Sequence, residues 1–247
     1  AESESLYKRQ NALDDIAGSC MRRNGRKSSR IDLKESTVNV LHELLEDEVI
    51  RDDGSFFRFS HDIFFEWCCF YYFSNRQENW IEELVAAGEP PLMGRVVELL
   101  SQASFSSGER WLECLIQLET CSMRTQWQRV WLTGPFGAID FAQNSQRFTA
   151  AIAAEDFRRL HKLLVWFQAE RTVPHPEILA GKILPSELNQ RERLQFADKF
   201  GWPSDFGMWR RFLNWLVDAH EGLPVTSISA IVPLFEIWQN VFSNYPN

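Results

Sequence analysis

The stretch FRFSHDIFFEW, residues 57 to 67, sets the pair His61 and Asp62 between a short alternating run and a block of aromatics. An imidazole donates or accepts a hydrogen bond and changes charge near neutral pH. Placed at a helix start, beside free backbone N–H groups and the positive dipole end, it is equipped to meet an anion. Such a residue can equally pack beside aromatics with one hydrogen bond satisfied, and spacing alone favours that plainer reading. The other chemistry-bearing residues are scattered. His161, His175 and His220 stand in helical or Pro-rich contexts without a partnering Cys or carboxylate pattern, and read as surface or internally satisfied histidines. The chain has no GxSxG, HExxH or GxGxxG. In NGRKSS, residues 24 to 29, the glycine and lysine are misplaced for a phosphate loop, leaving a basic interhelical loop. No metal site can be argued.

The elements that must position His61 follow from periodicity. Leu6, Leu13, Ile16, Ala17 and Cys20 recur at helical spacing and predict a helix from about Ser3 to Arg23. The basic loop RRNGRKSSR follows. A second helix is expected from about Leu33 to Asp47, with Val38, Leu41, Leu44 and Leu45 on one face. In VIRDDGSFFRF the Asp53-Gly54 pair between apolar flanks signals a β-hairpin. Ser60 is expected as N-cap of the next helix, with Asp62 in its first turn. That helix, Ile63 to about Phe73, is apolar nearly all round and is therefore expected to be buried on several sides. Beyond Asn79 the pattern is almost purely helical, broken at Gly88-Pro90-Pro91, Gly108, Gly134-Pro135, Pro174-Pro176, Pro185, Gly201-Pro203 and Gly222-Pro224. Two helices and a hairpin are the element order of a winged helix. The expected fold class is mainly α: a winged helix with a short β-hairpin wing over residues 1–76, then an α-helical repeat region, HEAT- or armadillo-like, over 77–247.

Composition narrows the function. Hydrophobic residues at 45% and charged residues at 24% are ordinary for a globular chain, and ten Trp with nineteen Phe suit large buried surfaces. The net charge of −8 argues against general affinity for nucleic acid or anionic membrane. The would-be recognition helix carries Asp32, Glu35, Glu43, Glu46, Asp47 and Glu48 against Lys34 alone, the wrong sign for a DNA groove. Arg22, Arg23, Arg26, Lys27 and Arg30 are the best counter-argument. Five Cys without CxxC, and an N-terminus without an apolar core, point to a reducing cytoplasm. No apolar block is long enough for a membrane span.

A degenerate winged helix ending in FRFSHDIFFEW, then an aromatic helix and helical segments, resembles the winged-helix region of STAND NTPases, the class of NACHT and NB-ARC proteins. Bacterial NACHT-type members carry Phe-x-His-x-x-x-x-Glu-aromatic here, matched by Phe59, His61, Glu66 and Trp67. In plant members the equivalent is the MHD motif, whose Met is replaced by Ser60. The resemblance covers about residues 1 to 75, and its specific part is some ten residues. It implies that His61 is a nucleotide sensor, contacting the β-phosphate of ADP held by an upstream NTPase domain. Phe59, Ser60, Asp62, Glu66 and Trp67 would support the motif. Neither Walker A nor Walker B is present, so the ATPase core, with ADP or ATP and Mg, would belong to the parent protein. The chain begins at Ala1 rather than Met and is expected to be an excised piece. The implied role is a non-enzymatic, cytoplasmic regulatory fragment acting in antiviral or innate defence. Its expected partners are the upstream domain, a protein trigger sensed by the repeats, and further copies of the parent. The alternative is an independent helical-repeat scaffold that binds a protein.

Overall fold

A computed structural model describes residues 2–23, 25, 27–76, 79–108, 110–183 and 188–243. The chain is 73% helix and 6% strand, which makes it mainly α. It divides into two compact units: residues 1–103 with 113–131, and residues 104–112 with 132–247.

The first unit opens with α1 (Glu2–Arg22), which buries Ala12, Ile16, Ala17, Cys20 and Met21. Leu6, in the first turns of the helix, stays exposed. The supposed basic loop contains a strand, β1 (Lys27–Ser29), paired antiparallel with β3 (Phe56–Phe59). Three polar residues, Lys-Ser-Ser, carry no apolar alternation, so the pairing partner alone makes them a strand. The expected second helix is broken into α2 (Glu35–Val38) and α3 (Leu41–Glu46). The split falls at Asn39-Val40, where β-branched Val38 and Val40 and a poor helix former meet. Leu41 and Leu44 are buried as expected, whereas Val38 faces solvent. β2 (Ile50–Asp52) pairs with β3 through the Asp53-Gly54 turn, in which Gly54 takes φ +87°, a conformation open to glycine. The sheet order is β1-β3-β2.

The helix α4 (Asp62–Ser74) packs on α1 and β3. Gly18 of α1 sits so close to Tyr72 that a Cβ there would lie 2.7 Å from the ring. The remaining helices of the unit are α5 (Trp80–Ala86), most of α6 (Gly94–Ser107), most of α7 (Trp111–Thr120) and most of α8 (Thr125–Thr133). Trp80 stacks on Trp131 at 5.1 Å, and the Glu89 carboxylate accepts from the Arg124 backbone N–H at 2.8 Å and from Trp127 Nε1 at 2.7 Å.

The second unit is organised by a 3-10 turn, Gly134–Gly137, that carries Phe136 into its centre. Around it stand Phe141 at 4.6 Å, Phe212 at 4.9 Å and Phe148 at 5.1 Å, ring centre to ring centre. These rings come from α9 (Phe141–Ala153) and α13 (Phe206–Ala219), with Phe167 added by α10 (Arg158–Arg171). Trp209, Phe212, Leu213 and Leu216 of α13 are buried on one face, as their spacing predicts. A two-residue pairing, β4 (Thr172–Val173) with β5 (Trp202–Pro203), brackets α11 (Pro176–Leu179) and α12 (Gln190–Phe200). The unit closes with α14 (Ile228–Ser243). The Gly and Pro breaks of the sequence fall between the longer helices, some of them inside short elements such as the Gly134–Gly137 turn, α11 and β5, with Pro185 outside the described residues. A further break at Ala154–Phe157 has no glycine. Glu155, Asp156 and Phe157 instead hold φ of 55°, 55° and 59°.

Candidate functional site

The head of α4 is the site the sequence singled out, and the structure changes its local geometry. Ser60 is not the N-cap. Its N–H donates to the Val49 carbonyl at 3.0 Å, which ties it to the sheet, and the cap moves to His61 with extended backbone angles. The Ser60 hydroxyl is buried and meets no hydrogen-bond partner among the described residues. His61 makes no side-chain cap bond and is exposed. Its carbonyl accepts from the N–H groups of Phe64 and Phe65, and its ring stands edge-on to Phe64 at 5.6 Å. Asp62 is the first residue of the helix and exposed, while Glu66 is half-buried.

The expectation of a buried α4 is also corrected. Phe65, Cys68, Cys69, Tyr72 and Phe73 are buried against α1 and the sheet. Ile63 is 56% exposed, Phe64 37%, Trp67 45% and Tyr71 48%. Among the described residues only one side of this helix is buried by its unit, so an all-round apolar sequence leaves a stripe at i, i+1, i+4 and i+8 facing outward. Trp67 contacts Phe70 and Tyr71 edge-on or tilted at 5.7 and 6.1 Å. Phe59 is buried and meets Phe65 edge-on at 5.8 Å, so the motif's first residue is structural. The structure therefore brings His61, Asp62 and Trp67 to one helix and sends Phe59 into the core.

Two features escaped the sequence reading. His175 is neither a surface nor a satisfied histidine. It is 1% exposed, and neither ring nitrogen meets a partner among the described residues. Its ring lies edge-on to Trp202 at 4.6 Å, and burial holds its pKa below the ordinary 6.5 against the opposing pull of Glu177. The Pro-His-Pro context gave no sign of burial, because the ring's neighbour Trp202 and the Ala197 carbonyl that accepts from the His175 N–H both lie far along the chain. The second is an apolar cavity of about 430 Å³ between α13 and α14, lined by Leu216, Val217, Leu223, Ile228, Ile231 and Phe235 among others. Among the described residues there is no group of three His, Cys, Asp or Glu side chains set to hold a metal, and no helix long and apolar enough to cross a membrane. No family model, curated protein or solved structure matches the chain.

Proposed function

We propose that this chain is a non-catalytic regulatory fragment of a STAND-type NTPase, made of a winged helix followed by HEAT- or armadillo-like helical repeats. Its work is to restrain an ADP-bound resting state and to relay ligand sensing into oligomerisation, in innate or antiviral defence within the cytoplasm. One observation carries the reading: the exposed imidazole of His61 stands at the head of a helix whose outward stripe, Ile63, Phe64, Trp67 and Tyr71, is large and apolar. Contiguous exposed apolar surface of this kind marks a contact site. A domain seated on the stripe would bring its nucleotide to the helix head, where backbone N–H groups and a protonatable ring favour a phosphate.

The test is made in the parent protein. Its coding sequence upstream of Ala1 should carry GxxxxGK[ST] and an acidic Walker B strand, and His61→Ala should release ADP and give activity without a trigger. A parent lacking the NTPase core, or a variant that retains ADP like wild type, removes the restraint role. The apolar cavity between α13 and α14 favours a second reading, a helical scaffold for a protein partner. On that reading His61→Ala is silent, and Ile228→Glu abolishes partner capture.

A further inference from the structure

We propose that the outer face of the β1-β3-β2 sheet docks single-stranded nucleic acid. The strand register carries the argument. Lys27 stands opposite Arg58, and Arg58 stands opposite Arg51. Three cations therefore form one row across three strands spaced by about 4.8 Å. All three are exposed, whereas Ser28, Ile50, Phe57 and Phe59 on the other face are buried. Like charges directly opposite one another weaken a sheet. Asp53 offsets part of this, with Oδ2 3.3 Å from Arg58 Nε and 3.7 Å from Lys27 Nζ. Among the described residues no carboxylate pairs with Arg51. An anion laid along the row relieves the remaining repulsion.

The same face offers a ring. Strand alternation places Phe56 beside Arg58 on the outer side, half-buried, with the Arg23 guanidinium 5.9 Å from its centroid. A cavity of about 410 Å³ opens there, lined by Arg23, Gly25, Lys27 and Phe56. Cations that follow a phosphate backbone, beside an aromatic on which a base can stack, are what an unpaired strand requires. A duplex fits less well. Groove insertion would need a cationic helix, and α2 and α3 with their flanks carry Glu35, Glu43, Glu46, Asp47 and Glu48. The chain as a whole bears −8, so the attraction is local to the sheet. None of this rests on the restraint reading.

The test is fluorescence anisotropy of a labelled oligothymidylate with the chain as described. Three phosphate contacts give a slope of about −2 in log K against log salt, a fall of about 20-fold in affinity for a fourfold rise in salt. Arg51→Glu with Arg58→Glu should weaken binding at least tenfold at low salt and flatten that slope. Arg51→Gln with Arg58→Gln, checked by circular dichroism, should do so less while keeping the fold. Phe56→Ala should weaken binding by about 5- to 160-fold with the slope unchanged. No binding, binding that ignores salt or survives the charge reversal, or tighter binding of a duplex of equal length overturns the proposal.

Discussion

Replacing Trp67 by Arg separates a contact surface from a core. Trp67 is 45% exposed, so roughly half of a tryptophan's ~250 Å² is covered. At about 25 cal/mol per Å² that covering contributes ~3 kcal/mol, an upper bound that denatured-state compaction lowers toward ~2. An arginine at the same place lays its methylene stem over part of the apolar surface and keeps its head in water. The net loss should be about 1 kcal/mol. Phe65, one turn-face away, is 2% exposed. Phe65→Arg forfeits about 5 kcal/mol of burial by the same arithmetic and also buries a charge, enough to unfold a domain of ordinary stability. Urea titrations followed by far-UV circular dichroism read both. Trp67→Arg should keep a cooperative transition with unchanged slope and a slightly lower midpoint, and should reduce any self-association seen by light scattering. If it loses as much as Phe65→Arg, the stripe is covered within this chain and cannot serve a partner.

Acid should weaken the second unit through His175. The unfolded imidazole titrates near 6.5 and the folded one lower, so between them the unfolded chain holds a proton that the folded chain excludes. Stability is complete above about pH 6.5 and falls as pH drops through it; thermal melts across that range should show the slope, and His175→Leu should remove it. In the first unit, Glu89→Ala strands the indole N–H of fully buried Trp127 and the Arg124 N–H, and should cost about 1–3 kcal/mol by chemical denaturation. Asp205 caps α13 by accepting from the Met208 N–H at 2.9 Å, so Asp205→Ala should cost about 1 kcal/mol. An unaltered midpoint for either variant would refute its role.

What the sequence made legible was periodic or punctuated. The α1 stripe of Ile16, Ala17 and Cys20, the Asp53-Gly54 turn and the face of α13 each follow from spacing that one element sets by itself. What it hid depends on partners distant along the chain. Lys27–Ser29 becomes a strand because Phe56–Arg58 lies beside it. The outward stripe of α4 was invisible because a uniformly apolar helix does not announce which side has neighbours. The cap was displaced from Ser60 to His61 because the sheet claimed the serine's backbone first. His61 was singled out by its type and place, and its exposure came only with the fold.

The buried thiols of the first unit have a practical consequence. Cys20 and Cys68 are pushed up to about 12 by loss of solvent, and Cys69 is likewise raised, so almost none of their sulfur is thiolate at neutral pH. Cys114 is buried as well, and Cys121, at the end of α7, is the one cysteine not enclosed. A maleimide dye should therefore mark the native chain once, at Cys121, leaving the other four to report unfolding by becoming reactive. The wild-type sequence thus carries its own conformational probe, remote in sequence from both His61 and the basic sheet.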